Sequence, residues 1–575
     1  MVVSTDSDWT RIKFRNAVIG ITNFTIVLGD SAPGLSYAVY PSFIDVGKKQ
    51  YDTTNVTIRF STLLSFEGKP VELTIEKGAI GNTTLRLLKE EMEMLLIVNS
   101  GTVAGQESTN PRSFDISQIL ESLQPTVVDT DRLLSKPIVL SFYYPWYGNP
   151  LGRSRRLFHW EGITHKDISS STFYPLLGPY DSYDADLIRA HMRLAKSSGV
   201  DSFVCSWWGM GSFEDKAFKE MLTVAGEENF TATVYYESFR VMSRQQIVEE
   251  LSYVLKNYGN ASSFLKLNDR PVIFVYAVNV YDRNPWFWKG ILDEVKHYTG
   301  VDALFVADTV DILYLLAFDG LHTYNPSWIS NLTKTYCDEA KSIRLLGKIW
   351  TGTVIPGYDD RKIRSPGNYI DRENGNYYNS TWIGAMASDP DMVLICTWNE
   401  WHEGTNIEPS REFQFDYLRL TRYWALQFKN ERGVEPSSRP FINITSFNSN
   451  GSLRLSNNGT GDALAINLLL NSDKDYSIGN TIYVQVNETC KMLFIPLLEH
   501  NKTHDISIVS SGENTLRILG FYYSSTGERY SLESRTLEIG AKGKVYDVTS
   551  LFLYLALLIF GCTLILLLYA RGRRS

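Results

Sequence analysis

The chain has 575 residues and a formal net charge of −8, from 56 Lys+Arg against 64 Asp+Glu. With no basic stripe, that balance gives no footprint for a phosphate backbone and sets nucleic acid aside as a partner. Its five cysteines (Cys205, Cys337, Cys396, Cys490, Cys562) show neither CxxC nor metal-type spacing, so neither a disulfide framework nor a zinc site is expected.

The length alone implies roughly three to four domains. Residues 1–100 read as β-rich: short apolar or alternating runs (17–28, 56–60, 71–75, 94–98) are broken by Gly, Pro, Asn and Asp. Residues 101–135, rich in Ser, Thr, Gln and Pro, read as a linker. From 136 to 432 strands alternate with helices. The strand candidates are 138–144, 202–207, 231–236, 272–278, 303–307, 320–324, 348–355 and 392–397. Amphipathic segments at 185–197, 215–225, 245–258, 286–298, 331–345 and 413–429 separate most of them.

Eight strands with intervening helices is the count for a closed (β/α)₈ TIM barrel, class α/β. An open doubly wound sheet would want a Gly-rich phosphate turn after its first strand, and Tyr144-Pro-Trp-Tyr-Gly-Asn is not one. Residues 433–545 return to short alternating strands with turn signals and read as a β-sandwich accessory domain. Residues 551–570 form an uncharged apolar run long enough to span a bilayer as one transmembrane helix. Arg571, Arg573 and Arg574 follow, which places the C-terminus on the cytoplasmic side and the rest of the chain outside. Twelve Asn-x-Ser/Thr sequons, from Asn23 to Asn501, agree with an extracytoplasmic glycoprotein. The start, Met1-Val-Val-Ser-Thr-Asp-Ser-Asp, does not read as a signal peptide, which leaves the route of export open.

On a barrel, chemistry belongs at the C-terminal ends of the strands. The first candidate strand runs into Tyr144, Trp146 and Tyr147, with His159 and Trp160 in the same long loop. The second ends in Trp207-Trp208, the third in Tyr236-Glu237, the sixth in Tyr324 and the seventh in Tyr358. The eighth opens into Asn399-Glu400-Trp401-His402-Glu403, two carboxyls among an amide, an indole and an imidazole. Tyr and Trp beside carboxyls, without a phosphate loop, point to a carbohydrate groove. No GxSxG elbow or HExxH helix occurs, and nothing in the spacing of His159, His191, His322 and His402 argues for a shared metal, so no cofactor is expected.

The pieces Phe142-Tyr-Tyr-Pro-Trp-Tyr-Gly-Asn149, Gly178-Pro-Tyr-Asp-Ser182, His191-Met192, Tyr235-Tyr-Glu237, Phe318-Asp-Gly320, Pro356-Gly-Tyr-Asp359 and Trp398-Asn-Glu-Trp-His-Glu-Gly-Thr405 resemble glycoside hydrolase family 99. That family contains the endo-α-1,2-mannosidases and endo-α-1,2-mannanases. The resemblance spans roughly 136 to 430 and leaves the flanking β-rich regions aside; the C-terminal apolar run departs from the family's animal members, which are anchored at the N-terminus.

The resemblance implies a retaining endo-acting hydrolase that passes through a 1,2-anhydro sugar. It implies Glu400 as the base at the sugar 2-hydroxyl and Glu403 as the acid, with Glu237 lining the same subsite. Glu403 would then need burial, near Trp398, Trp401 and a charged Glu400, to hold its proton. The partner expected is an α-mannoside-containing glycan or polysaccharide, together with the membrane. Two alternatives stand beside this reading: a glycan-binding surface protein that has lost catalysis, and a hydrolase or transglycosylase of the same scaffold acting on another α-linked polysaccharide.

Overall fold

The computed structural model describes residues 137–240, 242–344, 346–431, 438–447, 452–510, 512 and 514–539. It also gives the backbone of ten strands between Val2 and Gly105 and of the pair Val545–Tyr546. The apolar run 551–570 lies outside these residues, and among the described ones no helix is long and apolar enough to cross a membrane.

The barrel strands are β1 (Ile138–Tyr143), β2 (Ser202–Trp207), β3 (Thr231–Tyr236), β4 (Arg270–Val275), β5 (Leu304–Asp308), β6 (Gly320–His322), β7 (Ile349–Val354) and β8 (Met392–Ile395). All pair in parallel in chain order. The ring closes where β8 meets β1, with Ile138 opposite Met392 and Ser141 opposite Ile395. These are the eight strands the sequence predicts, with ends shifted by a few residues. They are buried along nearly their whole length, as parallel strands covered on both faces must be, and so read as near-continuous apolar runs.

Around them lie α1 (Ala185–Ser197), α2 (Phe213–Glu227), α3 (Arg244–Asn257), α4 (Pro285–Thr299), α5 (Leu332–Arg344), α6 (Asn376–Ala387) and α7 (Asp416–Lys429). Their starts carry side-chain caps at Asp184, Ser212, Ser243 and Asn284, and Ser243 forms a capping box with Gln246. Helix α6 has no counterpart among the predicted amphipathic segments. Its sequence, Asn-Tyr-Tyr-Asn-Ser-Thr-Trp-Ile-Gly-Ala-Met-Ala, spreads apolar and aromatic residues around the whole helix, so periodicity carries no signal. Between β5 and β6 the chain makes a short 3₁₀ turn, Ile312–Leu316, instead of an α-helix.

The N-terminal strands form two antiparallel five-stranded sheets. One of their strands, Thr102–Gly105, pairs with Met92–Asn99 and so falls within the stretch read as linker. The remainder of that stretch, from 106, lies outside the described residues.

Beyond α7 the chain builds a four-stranded and a six-stranded sheet, both antiparallel, around their own core of Leu453, Leu455, Ile466, Leu468, Ile506 and Ile518. The six-stranded sheet docks on the barrel, and Leu464, Val484, Phe494, Leu497 and Tyr523 join the barrel's apolar core. Polar contacts fasten the seam: Arg193 of α1 reaches Asp462 (2.6 Å) and Glu499 (2.7 Å), and Asn467 Nδ2 donates to the Leu176 carbonyl (3.1 Å). Gly178, at φ +73°, lets Phe494 lie where a Cβ would stand.

Candidate active site

Residues alternate between barrel interior and helices along each strand. Tyr144, Tyr235 and Tyr324 pack inside with Phe142; the Tyr235 and Tyr324 rings are 5.9 Å apart and the Tyr144 and Tyr324 hydroxyls 2.6 Å. Their neighbours face outward. Trp207 donates its indole N–H to Asp215 of α2 (2.9 Å), and the Tyr236 hydroxyl donates to Glu250 of α3 (2.8 Å). Trp207 and Tyr236, expected at the substrate groove, therefore pack behind it on the helices; the dipeptides Trp207-Trp208 and Tyr235-Tyr236 each send one ring each way.

The loop after β8 is anchored at both ends. Thr397 N donates to the Thr405 carbonyl (3.0 Å), Ile407 N to the Thr397 carbonyl (2.9 Å) and Glu408 N to the Trp398 carbonyl (2.9 Å). The Cys396–Thr397 peptide is cis. Inside this loop Glu400 is buried (3% exposed); its N–H donates to Thr397 Oγ1 (2.9 Å) and its Oε1 accepts from His402 N (3.1 Å). Glu403 Oε1 accepts from Arg364 Nη1 (3.0 Å), while its buried Oε2 has no partner among the described residues.

Burial raises the pKa of both carboxyls. For Glu400 the neighbouring Glu403 charge adds to that rise, and for Glu403 the Arg364 guanidinium offsets it. His402 fits the same picture. Its Nε2 lies 2.9 Å from the His159 carbonyl and so carries the proton, and burial holds the ring neutral. Its Nδ1 lone pair then faces Glu400 Oε1 at 3.4 Å, a place for a carboxyl proton on Glu400 in the unliganded protein.

The third carboxyl, Glu237, is buried at the end of β3 and accepts from Ser206 Oγ (2.6 Å), which in turn accepts from Trp208 Nε1 (2.9 Å). Burial pushes its pKa up to about 8. All three carboxyls act on the Tyr144 hydroxyl, raising its pKa after burial itself, which sets them around one side chain at the C-terminal end of the barrel. Trp146 stacks on His159 at 4.3 Å, and its indole N–H is buried without an acceptor among the described residues. A buried indole N–H and a buried carboxyl oxygen left without partners among the described residues are groups that a polyhydroxylated ligand would use.

Several predicted residues hold this pocket from behind. Asn399 Oδ1 accepts from Tyr144 N (2.7 Å) and its Nδ2 donates to the Tyr144 carbonyl (3.1 Å), tying β8's loop to the end of β1. Tyr147 donates to the Asn399 carbonyl (2.9 Å) and stacks on Trp160 at 4.1 Å. Trp401 Nε1 donates to the Tyr180 hydroxyl (2.8 Å), and Trp398 lies against His191 and Phe203. The four histidines do not converge: His159 and His402 are neighbours, His191 lies behind the loop 3.2 Å from Glu408, and His322 sits inside the barrel against Phe142 and Tyr235.

Three groups were given no role from the sequence, although Tyr180 lies in a segment that carries the family resemblance and Asp360 in the polar run after the seventh strand. Arg364 and Asp360 form a clamp with Tyr358: Arg364 Nη1 is 2.8 Å from the Tyr358 hydroxyl and 2.7 Å from Asp360 Oδ2. Arg372 is buried among the rings of Phe173, Phe413 and Tyr417, and its Nη2 donates to the Gly404 and Asn406 carbonyls (2.9 and 2.8 Å). Tyr180 donates to Glu408 (2.8 Å) while accepting from Asn399 and Trp401. An arginine in an Asp-rich loop carries no distinguishing local pattern.

A closed parallel barrel with buried paired carboxyls and aromatic walls at its C-terminal end defines the class of barrel glycosidases. The profile of glycosyl hydrolase family 99 matches residues 135–430, and the chain belongs to that family of glycoside hydrolases. It is similar to the mouse glycoprotein endo-alpha-1,2-mannosidase, 29% identical over 357 residues that cover 51% of this chain and 75% of the relative. The mouse glycoprotein endo-alpha-1,2-mannosidase-like protein is 27% identical, covering 51% and 76%. The solved GH99 endo-alpha-mannosidase from Bacteroides thetaiotaomicron is 28% identical, covers 51% of this chain and 97% of its own, and superposes with a TM-score of 0.46.

Proposed function

We infer that the protein is a retaining endo-acting hydrolase of internal α-1,2-mannosidic linkages. The observation that carries this is the carboxyl pair: Glu400 and Glu403 sit on one anchored loop within the segment shared with the endo-mannosidase relatives. In an α-mannoside the 2-hydroxyl is trans-diaxial to the glycosidic oxygen. Glu400 takes the O2 proton as O2 attacks C1, and the C1–O bond breaks as Glu403 gives its proton to the departing oxygen. The 1,2-anhydro sugar is reopened by water, whose proton goes to Glu403 while O2 recovers its own from Glu400. Two inversions at C1 give net retention.

The Arg364–Glu403 ion pair favours a second reading, in which Glu403 is the resting anion and base and Glu400 the acid. Leaving-group chemistry separates the two, because a good leaving group needs no acid. On the first reading Glu403→Gln regains turnover with an activated aryl mannoside and Glu400→Gln does not; on the second the rescue is exchanged. A 2-fluoro sugar with a good leaving group that forms an ester on Glu400, seen by mass spectrometry, would sink the anhydro route. Turnover of α-1,2-mannan to internal fragments excludes the inactive glycan binder, and a preference for another α-linked polymer would move the substrate. For location, we place the catalytic barrel outside the cytoplasm, held by the run 551–570; a chain cut before residue 545 that still sediments with membranes overturns that placement.

A further inference from the structure

Away from the active site, a cavity of about 220 Å³ opens on the seam between barrel and sandwich. Tyr180 and Asp184 line it from the barrel side, and Thr481, Phe494 and His504 from the sandwich. Thr481 is 8% exposed, and its hydroxyl has no hydrogen-bond partner among the described residues; neither has the buried Nε2 of His504. Leaving a buried polar atom unmet is costly, so both are groups that a bound molecule would satisfy.

The lining also limits what that molecule can be. Arg153 and Arg155 are balanced by Asp184 and Asp186, so the cavity carries no net charge to favour an anion or a metal ion. Arg153 is already engaged with Glu220 (3.0 Å), and Asp184 caps α1 by accepting from Asp186 N (2.9 Å). The lining includes the rings of Tyr180 and Phe494, apolar surface of the kind that suits the C–H side of a sugar. The volume falls below the ~300 Å³ at which pockets for larger ligands begin, so one ring fits and a chain does not.

We propose that this seam is a second carbohydrate site, taking a single neutral hexose unit of a glycan through Thr481 and His504 with its ring against Phe494 and Tyr180. Asp186 and Asp505 are the charged groups acting on His504, and burial outweighs them and keeps the imidazole neutral, able to meet a hydroxyl as donor or acceptor. The site lies one side chain from the catalytic loop, because the Tyr180 hydroxyl is the group that holds Glu408, Asn399 and Trp401.

The test reads binding without turnover, so it stands apart from the roles given to Glu400 and Glu403. Calorimetry on the full chain with methyl α-D-mannopyranoside and methyl β-D-glucopyranoside, and crystals soaked in each, should show a site occupied at the seam besides the barrel pocket. Thr481→Val combined with His504→Phe should abolish the seam site, leaving hydrolysis of a small aryl mannoside within about twofold. Leu151→Trp, which crowds the cavity from its exposed edge, serves the same purpose should the double variant fail to fold. Water alone in the soaked cavity, unchanged binding in the variants, sugar seen in the crystal but not in solution, or inorganic phosphate bound in preference would each overturn the proposal.

Discussion

The loops that follow β7 and β8 bring their groups to the same pocket by opposite means. In the β8 loop every residue from 397 to 408 is buried except the half-buried Glu403, and backbone bonds, Arg372 and the Tyr180–Glu408 pair fix it from below. In the β7 loop residues 361–366 are all exposed, and Arg364 reaches inward from a half-exposed position to hold Glu403 and Asp360. The comparison teaches a division of labour: one loop sets where the carboxyls are, and the other sets the charge one of them carries. Preorganisation belongs to the first and adjustability to the second.

The sharpest way to break this division is to delete chemistry from each loop in turn. Glu400→Gln or Glu403→Gln is expected to lower kcat on an α-1,2-mannan by about 10³-fold, the scale of a lost general acid or base. Single alanine changes at positions 361–363 are expected to cost less than about tenfold, since those side chains touch no carboxyl of the pocket. Steady-state kinetics on one substrate checks both, and a 10³-fold loss at Ile363→Ala would erase the contrast.

Next in size is the support under the β8 loop. Arg372→Met keeps the apolar packing against three aromatic rings but leaves the Gly404 and Asn406 carbonyls unmet. A loss of about 2–4 kcal/mol is expected in denaturant unfolding, with a lower kcat on the surviving folded fraction. Arg372→Lys should fall between, because an ammonium can reach a carbonyl but cannot lie flat between rings.

The contrast also explains what the sequence could reveal. Strands buried on both faces gave unbroken apolar runs, and the Trp-Asn-Glu-Trp-His-Glu-Gly-Thr segment concentrates its chemistry in consecutive residues, so the barrel and the carboxyl pair were legible. Arg364 and Arg372 act on residues some 30 to 40 positions away, through contacts that closure of the barrel creates. The opposite facing of Tyr235 and Tyr236 needs the strand's rotation about its axis, which two adjacent tyrosines do not encode. Helix α6 escaped because its apolar residues surround it. The seam cavity depends on how two separately folded cores dock, and no local pattern reports that.

A pH-dependent effect sits in the third carboxyl, which neither loop neutralises. Glu237 has its pKa pushed up to about 8 by burial, above the ordinary value of 4.5 that it regains on unfolding. Between these values the folded state holds a proton that the unfolded chain has released, so stability falls as pH rises from about 4.5 toward 8. The slope from this one group is at most about 1.4 kcal/mol per pH unit. Glu237→Gln removes it, and parallel urea titrations across pH 5–8 should show the variant gaining on the wild type as pH rises. Equal slopes would mean that Glu237 is ionised in the folded protein.

The smallest effect is the one that tests the adjustable loop most directly. Arg364→Ala removes the cation that offsets burial at Glu403, so the Glu403 pKa must rise; because Arg364 is half exposed, solvent screening keeps that rise modest. Its sign in the pH–rate profile depends on what Glu403 does. If Glu403 is the acid, activity is lost when it ionises, and the basic limb of kcat/KM moves to higher pH. If Glu403 is the base, activity appears when it ionises, and the acidic limb moves to higher pH instead. Arg364→Lys keeps a cation on a compact head and should return whichever limb has moved part of the way. A profile unchanged in both limbs, with turnover intact, would show that Arg364 serves the β7 loop and Asp360 alone, and the charge-setting half of the comparison would fall.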